Sequence, residues 1–288
     1  MYLEHNQLTY EQRETNNVSE KRTFPLEDLG FLILESLQLS VTAACLNALA
    51  NENIAVVICD GGHMPSAMLQ PFSGNTLAQR HTEAQLRATD ALKDRLWRQT
   101  VKAKIINQAE CLKRLGLPDQ RLRVLAGLVK RGDSGNMEAV AARYYFQSLA
   151  GMEGFSRNRD GIPPNPALNY GYAVLRAAVA RALTGSGLLC VTGIHHSNQY
   201  NSFGLADDIM EPFRPFVDEM IFSSRDFFKV SELGNAQKAQ LLQLLTADVM
   251  LGSEKRPLLN SISYTTASLV RCFLREDVSI KYPEFVKK

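Results

Sequence analysis

No two cysteines in this sequence are spaced C-x-x-C: the five thiols, Cys45, Cys59, Cys111, Cys190 and Cys272, are scattered, so neither a zinc knuckle nor a dithiol redox motif is spelled out. Such a scatter suits a reducing compartment. The opening residues MYLEHNQLTYEQRE have neither the basic n-region nor the apolar h-region of a secretory signal, and no apolar run reaches membrane-spanning length. A cytoplasmic protein with no membrane association is expected. Also missing are the G-x-S-x-G elbow, the P-loop G-x-x-x-x-G-K, G-x-G-x-x-G and H-E-x-x-H. Their absence removes the common serine-hydrolase, nucleotide-binding and zincin readings.

What is present is ordinary globular composition. The chain has 288 residues, 45% hydrophobic and 22% charged, enough for one or two domains with a real core. Short apolar runs such as Gly30-Phe-Leu-Ile-Leu34 and Ile54-Ala-Val-Val-Ile58, bounded by turn residues, read as strands. Between them Ser40 precedes an apolar-spaced stretch, Val41 to Ala50, that reads as one short helix on the sheet. Beyond Asn75, helical spacing takes over at Ala84–Leu115, Met137–Leu149, Asn169–Leu183, Ala236–Leu251 and Thr265–Leu274. The expected fold class is α+β, a small β-rich domain over 1–80 followed by a larger all-helical domain over 81–288.

The net charge of +2 conceals an uneven distribution. Met1–Thr82 holds four Lys/Arg against nine Asp/Glu, whereas Glu83–Arg131 holds twelve against five. A basic helical segment of this kind serves equally as a solvated face or as a track for nucleic acid.

The densest group of potential metal ligands lies between Gly193 and Pro215. The adjacent His195 and His196 sit in a polar loop, and Asp208 and Glu211 are three apart, which on a helical turn puts both carboxylates on one face, about 5–6 Å apart at Cβ. Pro212 and Pro215 rule out a regular helix interior there, so a bent turn or a helix start is expected. Glu138 stands in the first turn of a helix that Ser134 or Asn136 can cap. Acids of this kind also simply favour a helix N-terminus through its dipole, and a histidine pair can simply close a loop. His63, in a turn after a strand, and His81, at the start of the basic segment, read as structural or phosphate-facing.

Four motifs in order, Gly135-x-x-Glu138-Ala-x-Ala-Ala-Arg-Tyr-Tyr, Leu168-Asn-Tyr-Gly-Tyr-Ala-Val-Leu175, Gly193-Ile-His-His196 and Asp208-Ile-Met-Glu-Pro-Phe-Arg-Pro215, make the chain resemble the family of CRISPR-associated protein one. These are the spacer-acquisition endonucleases and integrases, and the chain is most similar to members from type II systems. The pattern of strand, helix and strand ending in Cys59-Asp-Gly-Gly-His-Met-Pro65 resembles that family's N-terminal β-domain. The resemblance implies a divalent metal, Mg²⁺ or Mn²⁺, held by Glu138, His196 and Glu211, with Asp208 as a further acid at the site. It favours His196 over His195 because the family pattern reads Gly-x-x-His. It also implies attack by the 3′-hydroxyls of a captured DNA fragment, a prespacer, on phosphodiesters at the edge of a CRISPR repeat. The implied assembly is a homodimer through the β-domain, built into a heterohexamer with a second, smaller adaptation protein. With DNA as partner, Arg87, Lys93, Arg95, Arg98, Lys102 and Lys104 are the expected phosphate contacts. The same ligands would serve a stand-alone nuclease acting on branched or single-stranded DNA, and a non-catalytic DNA-binding scaffold would need none of them.

Overall fold

The computed structural model describes residues 1–13, 19–71, 75–151, 155–158 and 161–287, which fall into two compact units, Met1–Thr76 and Leu77–Lys288. In the first, β1 (Tyr2–Glu4), β2 (Gln7–Arg13) and β3 (Ser19–Pro25) form an antiparallel sheet in that order. The second sheet joins β4 (Phe31–Leu34), β5 (Ala55–Cys59) and β6 (Pro65–Leu69), with β4 and β5 parallel and β5 and β6 antiparallel. A parallel pair cannot be closed by a hairpin, and α1 (Ala43–Asn51) makes the crossover. Thr42 caps this helix rather than Ser40: its Oγ1 accepts the Cys45 N–H at 3.3 Å, while the Ser40 carbonyl accepts from the N-terminal ammonium at 2.6 Å. Leu8, Leu26, Cys45, Leu49, Ile54 and Val56 form the core of the unit.

The second unit is mostly helical. Its helices are α2 (Ala78–Leu86), α3 (Asp90–Arg114), α4 (Gln120–Leu128), α5 (Met137–Ala150), α6 (Asn165–Gly185), α7 (Gly204–Met210), α8 (Arg214–Phe222), α9 (Asn235–Gln243) and α10 (Leu258–Phe273). The periodic stretch over Ala84–Leu115 is two helices, because Thr89 caps a new one by accepting the Leu92 N–H. The stretch Ala236–Leu251 is not one helix either. It ends in β7 (Asp248–Leu251), which pairs with β8 (Glu254–Pro257) and later with β9 (Glu284–Phe285) in an antiparallel sheet. Gly252, at φ 64°, and Ser253 make the two-residue loop that turns the chain back. The helical unit therefore carries one small sheet that apolar spacing did not announce.

α3 and α6 form the centre of this unit. α6 buries residues on most of its circumference, including Leu168, Tyr170, Val174, Leu175, Val179 and Leu183, as expected of a helix that is apolar nearly all round. Within it, a Cβ on Gly171 would stand 2.5 Å from Val217 Cγ1 of α8, so the close approach of α6 and α8 requires glycine. α3 is braced by the segment that follows α10. Gln99 donates to the Val278 carbonyl at 2.9 Å and accepts the Ile280 N–H at 2.8 Å, the Thr100 and Tyr282 hydroxyls meet at 2.8 Å, Asn107 donates to the Pro283 carbonyl at 3.0 Å, and Arg114 donates to the Val286 carbonyl. Among the described residues no helix is long and apolar enough to cross a membrane.

Candidate active site

Asp208 of α7 has no exposed surface, and its carboxylate organises the preceding loop. Oδ2 accepts the Ile194 and His195 N–H groups at 2.7 and 2.9 Å; Oδ1 accepts the His196 N–H at 3.2 Å and lies 2.5 Å from His196 Nδ1. These bonds supply what water would have supplied to a buried carboxylate. A Cβ on Gly193 would fall 2.5 Å from the His196 carbonyl and 2.7 Å from Asp208 Oδ2, so only glycine lets the loop wrap this tightly. The Gly-x-x-His spacing and the downstream Asp are thus parts of one clamp. Both Asp208 oxygens are committed to it, which makes Asp208 a carboxylate that orients the histidine rather than one turned toward a metal. With Nδ1 carrying the proton toward Asp208, Nε2 is the lone-pair position of the His196 ring.

Glu138 and Glu211 arrive from separate elements. α5 is started by neither Ser134 nor Asn136; Asp133 accepts the Met137 and Glu138 N–H groups, both at 2.9 Å, and so fixes the turn bearing Glu138. Glu211 opens the 3-10 turn Glu211–Phe213, where Pro212 interrupts the helical ladder between α7 and α8. Asn107 of α3 donates to the Pro212 carbonyl at 2.7 Å and holds this turn. Lys104, also on α3, donates to Glu138 Oε1 at 2.6 Å and stands 2.5 Å from Glu211 Oε2, while Arg214 Nε donates to Glu211 Oε1 at 2.8 Å. Burial raises the Glu211 carboxyl, but Arg214 and Lys104 outweigh it and hold the pKa at about 2. Burial likewise depresses the Lys104 ammonium, and Glu211 and Glu138 overcome it, so the pKa is raised.

Behind Arg214 lies a second buried acid. The Arg214 guanidinium covers the Tyr172 ring at 4.6 Å, and Tyr172 and Tyr145 donate to the two oxygens of Asp218 at 2.5 and 2.8 Å. Burial pushes the Asp218 carboxyl up to about 6 against these hydrogen bonds.

Among the described residues no three His, Cys, Asp or Glu side chains come close enough together to enclose a metal ion, and the place between Glu138 and Glu211 is taken by the Lys104 ammonium. The donor set nevertheless fits a hard divalent cation. Glu138 and Glu211 already share one cation, and the buried Glu211 Oε2 has the Lys104 ammonium as its partner. The fields of Glu211 and Glu138 both reach the His196 ring. Two carboxylates and one imidazole are donors that suit Mg²⁺ or Mn²⁺.

The two histidines differ in their surroundings. His195 stacks on Trp97 of α3, with ring centroids 4.2 Å apart and planes 2° from parallel, whereas His196 meets the same indole edge-on at 5.6 Å. The hydrogen bond to Asp208 raises the His196 pKa against the effect of half-burial, helped by the Asp208, Glu211 and Glu138 charges. His81 is buried with Nδ1 2.8 Å from the Ser186 carbonyl, and His63 pairs with Glu35 at 3.0 Å; both hold local structure.

The basic residues separate into three groups. Arg95, Arg98 and Lys102, at i, i+3 and i+7, share one exposed stripe of α3, although Arg98 also donates to the Val129 carbonyl at 2.9 Å. Arg87 is exposed at the end of α2 and pairs with Glu83 at 3.2 Å. Lys93 lies on the other face of α3, the one that carries Trp97 and Lys104. Lys104 is only 9% exposed, which removes it from any surface track and puts it inside the candidate site. Sequence reasoning missed this, and Trp97 and Arg214 as well. The available signal was that Lys104 continues the buried stripe Trp97, Val101, Gln108, Cys111 at helical spacing.

The clamp has a measurable consequence. A raised His196 pKa stabilises the folded state fully below the ordinary imidazole value of about 6.5, and this contribution is lost as pH rises through the folded value. Asp208→Asn is expected to lower the titration midpoint of the His196 ring, followed by NMR, and to remove its share of the pH dependence of unfolding. A ring that titrates unchanged in the variant would disprove the clamp.

The chain is similar to known proteins over most of its length. The family profile described as "CRISPR associated protein Cas1" matches residues 1–232. A CRISPR-associated endonuclease Cas1 of Neisseria meningitidis serogroup C (strain 8013) is 42% identical over 218 residues, covering 75% of this chain and 69% of its own. Another Cas1 endonuclease, from Francisella tularensis subsp. novicida (strain U112), is 27% identical over 234 residues, covering 74% of this chain and 73% of its own. In fold, the chain is similar to a casposase bound to integration product (TM-score 0.76, 18% identity, 96% of this chain and 88% of that one). It is also similar to a Cas1 protein from Thermotoga maritima (TM-score 0.68, 15% identity, 100% and 97%) and to a chain of a Cas6-RT-Cas1–Cas2 complex (TM-score 0.69, 18% identity, 100% and 36%). With a profile spanning most of its length and a relative this similar over three quarters of it, the chain belongs to the Cas1 family of CRISPR-associated endonucleases.

Proposed function

We propose that this chain is a metal-dependent DNA endonuclease and integrase that inserts captured foreign DNA into a CRISPR array, the 3′-hydroxyls of a prespacer attacking phosphodiesters at the repeat edges. The observation that carries this reading is the meeting of Glu138 and Glu211, from elements far apart in sequence, on a single cation, with both charges acting on an imidazole oriented by a buried carboxylate. Family membership and the fold shared with a casposase bound to integration product support it.

Glu138, Glu211 and Nε2 of His196 would hold Mg²⁺ or Mn²⁺, which when bound supplies Lewis-acid polarisation of the phosphodiester and eases deprotonation of the attacking hydroxyl. The chain's own residues do the rest. Asp208 keeps the His196 proton on Nδ1, so that the ring presents a lone pair at Nε2. Arg214 fixes the Glu211 carboxylate and keeps it ionised at neutral pH. Water in place of the sugar hydroxyl turns strand transfer into hydrolysis, so one site serves both reactions. Exposed Arg87, Arg95 and Lys102, with Lys93 and Arg98, hold DNA by its phosphates, which carry no base identity. The acidic first unit makes protein contacts, as a homodimer that engages a second, smaller adaptation protein in a heterohexamer, and the assembly works in the cytoplasm.

His196→Ala is expected to abolish metal-dependent cleavage and strand transfer while DNA binding stays within a few-fold, because affinity comes from the Lys/Arg field. His195→Ala is the control. Loss of activity in that control with activity spared in His196→Ala would reverse the assignment.

Neutralising Arg95 and Lys102 together, each to Gln, should flatten the dependence of log affinity on log salt by about two units and weaken unrelated duplexes alike. An unchanged slope in the folded variant would return that stripe to plain surface.

Light scattering at micromolar concentration should give twice the chain mass of 32.1 kDa. A single-chain mass would refute the homodimer.

A further inference from the structure

We propose that Lys104 is the site's resident placeholder cation: its ammonium holds Glu138 and Glu211 together when no metal is bound, an incoming divalent cation displaces it, and the competition sets the metal affinity. This inference rests on the reading of Glu138, His196 and Glu211 as the metal-holding set.

The geometry points to exchange rather than to a permanent brace. The ammonium lies 2.6 Å from Glu138 Oε1 and 2.5 Å from Glu211 Oε2, so it occupies a place from which one cation reaches both carboxylates. Two acids facing each other with little solvent cannot both stay ionised without a positive charge between them. Glu211 has a second, separate cation on its other oxygen, Arg214 at 2.8 Å, and remains neutralised when Lys104 withdraws. Glu138 is the more open partner, with its side chain 23% exposed against 10% for Glu211, and forms the accessible side of the pair. Lysine suits such a role where arginine does not. Its charge is compact and sits on a flexible stem that can swing away, while a guanidinium fork would be pinned by its several donors. A divalent ion brings twice the charge to the same two carboxylates, so the exchange favours the metal once it is available. Lys104 is in this sense a positioning residue, acting on substrate only through the two carboxylates.

The test uses the full-length chain and Mn²⁺ as probe. In the wild-type protein, mass spectrometry after brief acylation of amines should find Lys104 protected in EDTA and reactive at saturating Mn²⁺; protection that persists with Mn²⁺ bound overturns the proposal. Trp97 is the sole tryptophan and packs against both histidines, so its quenching by Mn²⁺ reads site occupancy without any activity measurement. Lys104→Met should bind Mn²⁺ about tenfold or more tightly than wild type, and its melting temperature should be lower in EDTA and recover with Mn²⁺. Equal Mn²⁺ affinity in the two forms overturns this inference alone, whereas absence of quenching in both overturns the metal reading and the inference with it. If Lys104→Met does not fold even with Mn²⁺ present, the acylation pattern of the wild-type chain decides.

Discussion

A carboxylate with no contact with solvent is tolerated only when its oxygens are filled, and Asp208 is filled by three consecutive backbone N–H groups and one imidazole. That requirement shapes everything around it. The loop must present Ile194, His195 and His196 amides to one point, which a side chain at position 193 would prevent. Once the amides converge, the His196 ring has one orientation and one proton position, and His195 is left to stack on Trp97. A single buried charge on α7 thereby converts a polar loop of little regular structure into a rigid presentation of one nitrogen.

From this clamp outward the unit alternates in sign. Glu138, Lys104, Glu211 and Arg214 follow one another, each within ion-pair distance of the next, and Arg214 hands on to Tyr172 and Asp218 in the core. No member is electrostatically independent. A buried array of this kind does little for net stability compared with apolar packing, yet breaking it at one point strands a charge. Its value is that α3, α5, α8 and the turn at Glu211–Phe213 keep one mutual arrangement, since any shift of one element separates opposite charges.

The legible parts of the sequence were those in which residue type and spacing state the physics directly. Turn-bounded apolar runs marked β4 and β5, and helical spacing marked most of the second unit. β1, β2 and β3 are rich in Gln, Glu, Lys and Arg, and their identity as strands comes from mutual pairing rather than from apolar alternation. The β7–β8 hairpin went unread because the apolar positions before Gly252 continue a helical rhythm, and only backbone pairing overrides it. Glu138, His196 and Glu211 stand out in the sequence by their ordered motifs, and the structure brings the two glutamates onto one lysine. A charge tally places Lys104 among the surface cations because it does not distinguish which side of a helix faces inward. The role of Asp208 was hidden for a related reason: a carboxylate that accepts backbone N–H groups looks the same in sequence as one that binds an ion.

The strap after α10 gives the site a place in time as well as in space. Val278, Ile280, Tyr282, Pro283 and Val286 engage Gln99, Thr100, Asn107 and Arg114 across 172 to 182 positions of sequence. Asn107 is gripped from both sides, by the Pro283 carbonyl and by the Pro212 carbonyl of the turn that bears Glu211. Contacts of such long separation form late, because the closure entropy of the loop precedes their reward. A chain emerging from the ribosome therefore holds Glu138, His196 and Glu211 well before it has the strap that secures the helix between them. The candidate site is completed among the last events of folding, so an incompletely made chain carries its side chains but not the frame that aligns them.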